Sequence, residues 1–146
     1  MNSKKTKLED VIYFLIEQTN RKAKAHSQQV FNKEGIGITI EQWVLLKIIH
    51  ENPMISQVEL AEKATKEPAS ITRMLDAIQK KGFVQRLPSP TDRRKYLLAL
   101  SNSGNDLIDK HIDLVLGLRT LGVKGFSAQE LESLKSMLLR IQSNLS

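Results

Sequence analysis

Arginine is concentrated in one short stretch of this chain. Residues 86–95 carry three arginines and one lysine against a single aspartate, a net charge of +3. Residues 88–94 within it read Pro-Ser-Pro-Thr-Asp-Arg-Arg, too rich in proline to pair as sheet, so we expect a turn that projects into solvent. Guanidinium groups on such a turn suit a polyanion, because each can form paired bonds with phosphate oxygens. On charge alone, a solvated basic turn is an equally good interpretation.

The element before the basic turn is predicted to be a helix with one free face. Pro68 suits the first helical turn, and Gly82 suits the left-handed position just past the last one. Ile71, Leu75 and Ile78 recur at spacings of four and three and form one apolar stripe. The helix therefore packs on a core with one face and offers its polar face to a partner.

Three residues at the start of this helix match the chemistry of a DNA major groove. Free N–H groups near Ser70 favour an anion, and Thr72 and Arg73 lie on the open face. An arginine reaches O6 and N7 of guanine together, whereas a lysine lacks the fork that this requires. For Arg73, the alternative is a surface salt bridge to Glu67 or Asp76.

The surrounding elements are predicted to form a helix-turn-helix with a wing. Ser56 and Glu59 form a capping box that opens a short helix, and residues 65–67 form a tight turn before the next one. Residues 83–87 and 95–100 are rich in aromatic and aliphatic side chains and are predicted to be strands. Two short helices, a tight turn and a following β-hairpin constitute a winged helix-turn-helix.

This order of elements closely resembles the winged-helix signature of the MarR family of transcription regulators. The resemblance implies that the helix before Gly82 is the recognition helix, that the position of Arg73 faces DNA, and that the Asp92 carboxylate orients Arg94 in a minor groove. It also implies a homodimer with interlocked first and last helices, and a ligand pocket between those helices and the winged core. The matching residues are Lys80-Lys81-Gly82-Phe83-Val84, Arg86, Asp92-Arg93-Arg94 and Leu100-Ser101-Asn102-Ser103-Gly104.

The predicted DNA contacts fall into three groups. The recognition helix contributes Ser70, Thr72 and Arg73, and the wing contributes Asp92, Arg93 and Arg94. Possible phosphate contacts, several of which are as well interpreted as solvated side chains, are Gln57, Thr65, Lys66, Lys80 and Arg86.

Composition restricts the class of protein. The chain has 146 residues, a net charge of +6 and a pI near 9.6, which favours an anionic partner. It contains no cysteine, so disulfides, zinc ribbons and thiol switches are excluded from it. Its three histidines are scattered and no catalytic motif is present, so we expect neither an enzyme nor a metal or cofactor site. The N-terminal segment lacks a cleavage site and no segment approaches a membrane span, so a cytoplasmic protein without membrane contact is expected.

Apolar stripes also mark helices that flank the winged core. We expect a first helix from Leu8 to about Phe31, a second helix after a capping box of Thr39 and Gln42, and Trp43 as a core anchor. A long helix follows Ser101, and Ser127 with Glu130 opens the last one. The predicted dimerisation residues on the first and last helices are Leu8, Ile12, Leu15, Leu131, Leu134, Leu138 and Ile141.

The sequence therefore predicts a mainly α fold with a small β-hairpin wing (α+β). We expect residues 37–101 to form the winged helix-turn-helix, and residues 1–36 and 102–146 to form a helical dimerisation region. The predicted function is a sequence-specific regulator that binds double-stranded DNA, most simply a dimeric repressor of a pseudo-palindromic operator that a small-molecule effector releases. An architectural or activating DNA binder and a winged-helix module that binds protein are the alternatives.

Overall fold

The computed structural model describes residues 3–146, and the mainly α fold with a small wing is confirmed. The helices in this part of the chain are α1 (Ile12–Lys33), α2 (Ile40–Glu51), α3 (Gln57–Ala64), α4 (Pro68–Lys80), α5 (Asn102–Gly122) and α6 (Ala128–Asn144). The strands are β1 (Ile55–Ser56), β2 (Val84–Pro88) and β3 (Tyr96–Leu100). The chain divides into two compact units, one that ends at His111 and one that covers Ile112–Ser146.

Side-chain caps mark the helix starts where the sequence predicts them. At α2 the Thr39 hydroxyl accepts from the N–H of Gln42, and the Gln42 side chain accepts from the N–H of Thr39. Ser127 and Glu130 form the same pair of bonds at α6. At α3 the Ser56 hydroxyl accepts from the N–H of Glu59, as predicted. The second bond of the predicted box, from the N–H of Ser56 to the Glu59 side chain, does not form in the described chain.

The first helix differs from its prediction at both ends. Leu8 lies in a separate 3-10 turn, Leu8–Asp10, and α1 begins only at Ile12. Val11 between them has φ −80 and ψ 126, an extended conformation that interrupts the helical hydrogen bonds. The apolar period runs through this break without a change, so the pattern could not reveal it. At the other end α1 continues past Phe31 to Lys33.

The wing belongs to an antiparallel sheet with the strand order β1-β3-β2. Pro88 pairs with Tyr96, so assigning this proline to the turn was wrong. Because β2 is an edge strand, the missing N–H of Pro88 costs no bond to a neighbour. Strand β1, where Ile55 pairs with Leu98, was not predicted, because two residues are too few to show a strand period.

The hydrophobic core described for the first unit lies between α2, α3, α4 and the sheet. Trp43 is 2% exposed and meets Phe31 edge to face, with ring centroids 5.9 Å apart and planes at 84°. Its predicted role as a core anchor is confirmed. The large side chains that are fully buried are Phe31, Leu45, Leu46, Ile49, Leu60, Ile71, Leu75, Ile78 and Leu98.

The wing returns to α5 through a close approach of two backbone segments. The Ser101 hydroxyl donates to the carbonyl of Gly82 and accepts from the N–H of Gly104. The N–H of Ser101 donates to the carbonyl of Phe83 at 3.0 Å. Ser101 thus caps α5, as predicted, and also ties its start to the end of α4.

Apolar side chains remain accessible toward both ends of the described chain. Helix α6 contains no buried residue. None of the helices in residues 3–146 is both long and apolar enough to span a bilayer. The predicted dimerisation residues are all exposed or half-buried in the single chain: Leu8, Ile12, Leu15, Leu131, Leu134, Leu138 and Ile141.

Candidate nucleic-acid interface

Helix α4 turns one face to the core and the other to solvent. Ile71, Leu75 and Ile78 are each 0% exposed, whereas Thr72 and Arg73 are exposed. The apolar stripe predicted from the sequence is therefore confirmed, and it leaves the polar face of α4 uncovered.

Arg73 keeps most of its hydrogen-bonding capacity. Its Nη2 donates to Ser70 Oγ at 3.2 Å, and it forms no ion pair with any residue in the described part of the chain. Neither carboxylate considered as its partner pairs with it among the described residues: Asp76 binds Arg86 at 2.7 Å, and Glu67 makes no side-chain cap bond at the start of α4. A guanidinium has five N–H donors, so Arg73 retains enough of them for a base edge.

Thr72 has fewer bonds left to offer. Its hydroxyl donates to the Pro68 carbonyl at 3.0 Å and accepts from Nε2 of Gln57 at 3.0 Å. Because a hydroxyl has one proton, Thr72 retains one lone pair and its methyl group for a ligand. These suit a base amino group or a thymine methyl. Gln57, considered as a phosphate contact, links α3 to α4 in this arrangement.

Arg86 is bound inside the protein. Its Nη1 donates to Asp76 Oδ1 at 2.7 Å and to Gln79 Oε1 at 2.9 Å, and its Nη2 donates to the Thr72 carbonyl at 3.3 Å. Its side chain is only 17% exposed, and its Nε is buried without a partner among the described residues. Arg86 therefore connects β2 to α4 and has little surface left for a phosphate.

The tip of the wing, residues 89–95, is closed by short-range bonds. The N–H of Ser89 donates to the carbonyl of Lys95, and the N–H of Lys95 donates to the carbonyl of Asp92, both at 3.1 Å. The Asp92 carboxylate accepts from the backbone N–H of Arg94 at 2.9 Å, so it orders the main chain beside that arginine. Both tip arginines are exposed, and neither has an ion pair within the described residues.

The remaining candidate phosphate contacts differ in availability. Lys80 is exposed, and Thr65 is the left-handed C-cap of α3, with φ 52. Lys66 lies 3.4 Å from Glu41 Oε1, which also accepts from Lys24 at 3.3 Å. Burial disfavours the charged form of Glu41, but the two ammonium groups outweigh it and lower the pKa of this carboxyl. To bind a phosphate, Lys66 would therefore have to break its ion pair with Glu41.

Some neighbouring side chains were missed by reasoning from the sequence. Lys81 Nζ donates to the Gly37 carbonyl at 2.8 Å, so one lysine of the pair before Gly82 supports the fold. Val58 and Tyr96 are 60% and 52% exposed. Both line a cavity of about 370 Å³ between α3 and the wing. Tyr96 is the first residue of β3 and Val58 lies in the first turn of α3. Nothing in the sequence indicated that these two side chains would line the same cavity.

Comparison with known proteins shows a similarity to one family of regulators. Residues 38–96 match the model of the MarR family. A mutant MarR from E. coli in complex with operator DNA is 29% identical, with a TM-score of 0.79 over 87% of this chain and 90% of that one. A probable transcriptional regulator from Pseudomonas aeruginosa is 28% identical, with a TM-score of 0.79 over 92% of this chain and 99% of that one. BpsR from Bordetella bronchiseptica shares the fold, with a TM-score of 0.84 over 94% of this chain and 96% of that one at 17% identity.

Proposed function

We propose that this chain is a winged-helix protein of the MarR family and acts as a sequence-specific DNA-binding transcriptional regulator. The observation that carries the proposal is the combination of Arg73 on α4 with Arg93 and Arg94 on the wing tip, three exposed arginines that form no ion pair within residues 3–146. The two elements adjoin, since one cavity is lined by both Pro68 and Arg94. In finer terms, we propose a homodimeric repressor that binds a pseudo-palindromic operator and is released by a small molecule.

The two basic elements suit different grooves of the duplex. Helix α4 has the dimensions and the exposed polar face that a major groove accepts, and Arg73 supplies the fork that recognises guanine. The wing tip is a short turn that carries its arginines beyond the ends of β2 and β3. An arginine in a narrow minor groove responds to groove width and to the negative potential over A·T-rich sequence.

Known relatives support the DNA-binding part of the proposal. The E. coli MarR mutant was solved on operator DNA, and its match extends over most of both chains. The residues that form α2 to the start of β3 lie in the segment matched by the family model. A small-molecule effector is favoured over a redox signal, because the chain contains no cysteine.

The test is a titration of wild type, Arg73→Ala and Arg94→Ala against a selected operator and a scrambled duplex. Arg73→Ala should cost about 1–3 kcal/mol on the operator and relax discrimination at one position per half-site. Arg94→Ala should lose more affinity on A·T-rich than on G·C-rich flanks. Arg21→Ala is the matched control, because Arg21 is exposed and pairs with Glu17 within α1.

The outcomes separate this function from its alternatives. Equal wild-type affinity for operator and scrambled DNA would indicate an architectural binder without sequence preference. Absence of any salt-dependent DNA binding would favour a module that binds protein. If Arg73→Ala keeps full discrimination, α4 does not read bases and sequence-specific recognition by this helix is refuted.

A further inference from the structure

A trough separates helix α3 from the wing. Its walls include Gln57, Val58, Lys66, Arg94, Lys95 and Tyr96, and it encloses about 370 Å³. We call it the α3–wing trough. It lies beside a second cavity of about 440 Å³ between α4 and strands β2 and β3, which no residue of the wing tip lines, and Gln57 and Tyr96 line both cavities.

The position of the trough follows from how two neighbouring grooves are arranged in DNA. A major groove and the adjacent minor groove are separated by a single sugar–phosphate strand. If α4 enters the major groove and the wing tip enters the adjacent minor groove, that strand must pass between them. The α3–wing trough is bounded by the start of α4 at Pro68 and by the wing at Arg94, which is where the strand would run.

The chemistry of the trough matches a deoxyribose flanked by phosphates. Val58 and Tyr96 are 60% and 52% exposed and line the same cavity, so the trough contains apolar surface that the chain itself leaves uncovered. Lys95 is exposed beside them, and no ion pair of its side chain occurs in residues 3–146. Glu62, an acidic residue of α3, also lines the trough, so a phosphate is favoured on the side of the wing. The apolar floor with a basic rim fits a sugar with its phosphate better than a base edge.

We propose that the α3–wing trough seats the DNA strand between the two grooves, with a deoxyribose against Val58 and Tyr96 and a neighbouring phosphate on Lys95. This proposal rests on the proposed function for the groove assignments. It adds Val58 and Tyr96, for which neither the basic pattern nor the family signature supplied a role, and it gives Lys95 of the basic segment a specific partner. Such contacts fix the register of the protein on the duplex and carry no base preference of their own.

The experiment scans single methylphosphonate substitutions along each operator half-site and compares wild type, Lys95→Gln, Tyr96→Ala and Val58→Asp. One neutral linkage per half-site, between the bases sensitive to Arg73 and those sensitive to Arg94, should weaken wild-type binding severalfold. On a duplex with that neutral linkage, Lys95→Gln should bind with the same affinity as wild type. Lys95→Gln should also reduce the slope of log affinity against log salt by about 0.9 for each phosphate that it no longer neutralises.

Tyr96→Ala and Val58→Asp separate the sugar contact from charge alone. Tyr96→Ala should weaken binding by the same factor on operator and scrambled DNA without changing the salt slope. Val58→Asp should weaken it further, because it places a carboxylate where the strand lies. Lys63→Gln, an exposed lysine of α3 that does not line the trough, is the control and should leave the methylphosphonate profile unchanged.

Failure of the trough proposal is distinguishable from failure of the proposed function. If wild type prefers its operator but all three trough variants bind like wild type, the trough does not bind the DNA strand, whereas the proposed function is retained. If wild type binds every duplex equally and the trough variants still weaken binding, the trough does bind the DNA strand and sequence-specific regulation is refuted. Circular dichroism and thermal unfolding of each variant exclude loss of fold as the cause.

Discussion

Position 104 has no room for a side chain. A Cβ built on Gly104 collides with the carbonyl oxygen of Phe83. That oxygen also accepts the N–H of Ser101 at 3.0 Å, so it cannot withdraw without loss of a bond that holds the start of α5. The glycine is therefore needed for the close approach of two backbone segments, and not for a left-handed conformation.

We expect Gly104→Ala to lower the free energy of unfolding by about 1–3 kcal/mol, the usual cost of overpacking a close contact. Gly117 is the matched control on the same helix, because nothing lies within 4 Å of the methyl that alanine would add there. Gly117→Ala should be stabilising by roughly 0.5–1 kcal/mol through helix propensity. Urea unfolding of both variants measures the difference, and equal stability of the two would contradict the proposed clash.

At this scale the sequence specified residue types and faces, but not partners. The helical period was enough to place Arg73 on the open face of α4. It could not show that Asp76 would bind Arg86, because that pair depends on how β2 lies against α4. Nor could it show that the Asp92 carboxylate accepts from the backbone N–H of Arg94, and the action of Asp92 on the Arg94 side chain in a minor groove stays a prediction. Partners of this kind are chosen by tertiary distances that no spacing along the chain contains.

Between elements, Arg86 connects strand β2 to helix α4. Its three bonds reach a carboxylate, an amide and a backbone carbonyl of α4. The Asp76 side chain is 61% exposed, so solvent screens the Coulomb attraction between Asp76 and Arg86. The hydrogen-bond geometry remains, and it sets the position of β2 relative to α4. A positioning role predicts a different response to salt from a phosphate contact.

We expect Arg86→Ala to be destabilising by about 1–3 kcal/mol, because it removes charge-assisted hydrogen bonds made by a side chain that is only 17% exposed. Operator affinity should fall while the slope of log affinity against log salt stays unchanged. Lys80→Ala, at an exposed position of the same helix, should leave stability within about 0.5 kcal/mol. If Lys80 binds a phosphate, that variant should reduce the slope by about 0.9.

Asp76→Ala provides the check on this assignment. It should reproduce the stability loss of Arg86→Ala in part, and the double variant should cost less than the sum of the two, because both belong to one network. A flattened salt slope for Arg86→Ala, together with additive losses, would instead assign Arg86 to a phosphate.

Helix starts with a side-chain cap were the most predictable features, because caps are local. The pairs Thr39 with Gln42 and Ser127 with Glu130 act within four residues and formed as expected. Elements that depend on a distant partner were not predictable. Strand β1 forms because Ile55 pairs with Leu98 of β3, which lies more than forty residues later in the sequence. No window of local sequence contains both.

For the whole molecule, the distribution of burial is uneven. Nearly all of the large buried side chains belong to the first unit, and α6 buries none of its residues. The apolar period of α6 is nevertheless that of a helix with a covered face. Contiguous exposed apolar surface of this kind typically marks an interface. The division into a winged core at residues 37–101 and flanking dimerisation segments accordingly remains our prediction.

We expect the last helix to hold a homodimer together. Leu134→Glu places a carboxylate on the apolar face of α6, where Leu134 is 41% exposed in the single chain. In a two-fold symmetric interface each substitution acts twice, so the dimer dissociation constant should rise by about tenfold or more, equivalent to at least about 1.4 kcal/mol. Ser133→Glu, an exposed neighbour on the same helix, is the control and should leave assembly unchanged. Sedimentation equilibrium measures both.

Deletion of residues 127–146 extends the same test. Without α6, the apolar partners of Leu131, Leu134 and Leu138 should be uncovered, and operator binding should become weak and strongly dependent on protein concentration, because two winged cores must then meet on the DNA. This dependence distinguishes loss of the dimer from loss of the DNA surface, since the winged core with Arg73 and the wing tip is retained. A truncated chain that sediments as a stable, folded monomer and binds the operator as tightly as the full chain would refute the role of α6 in dimerisation.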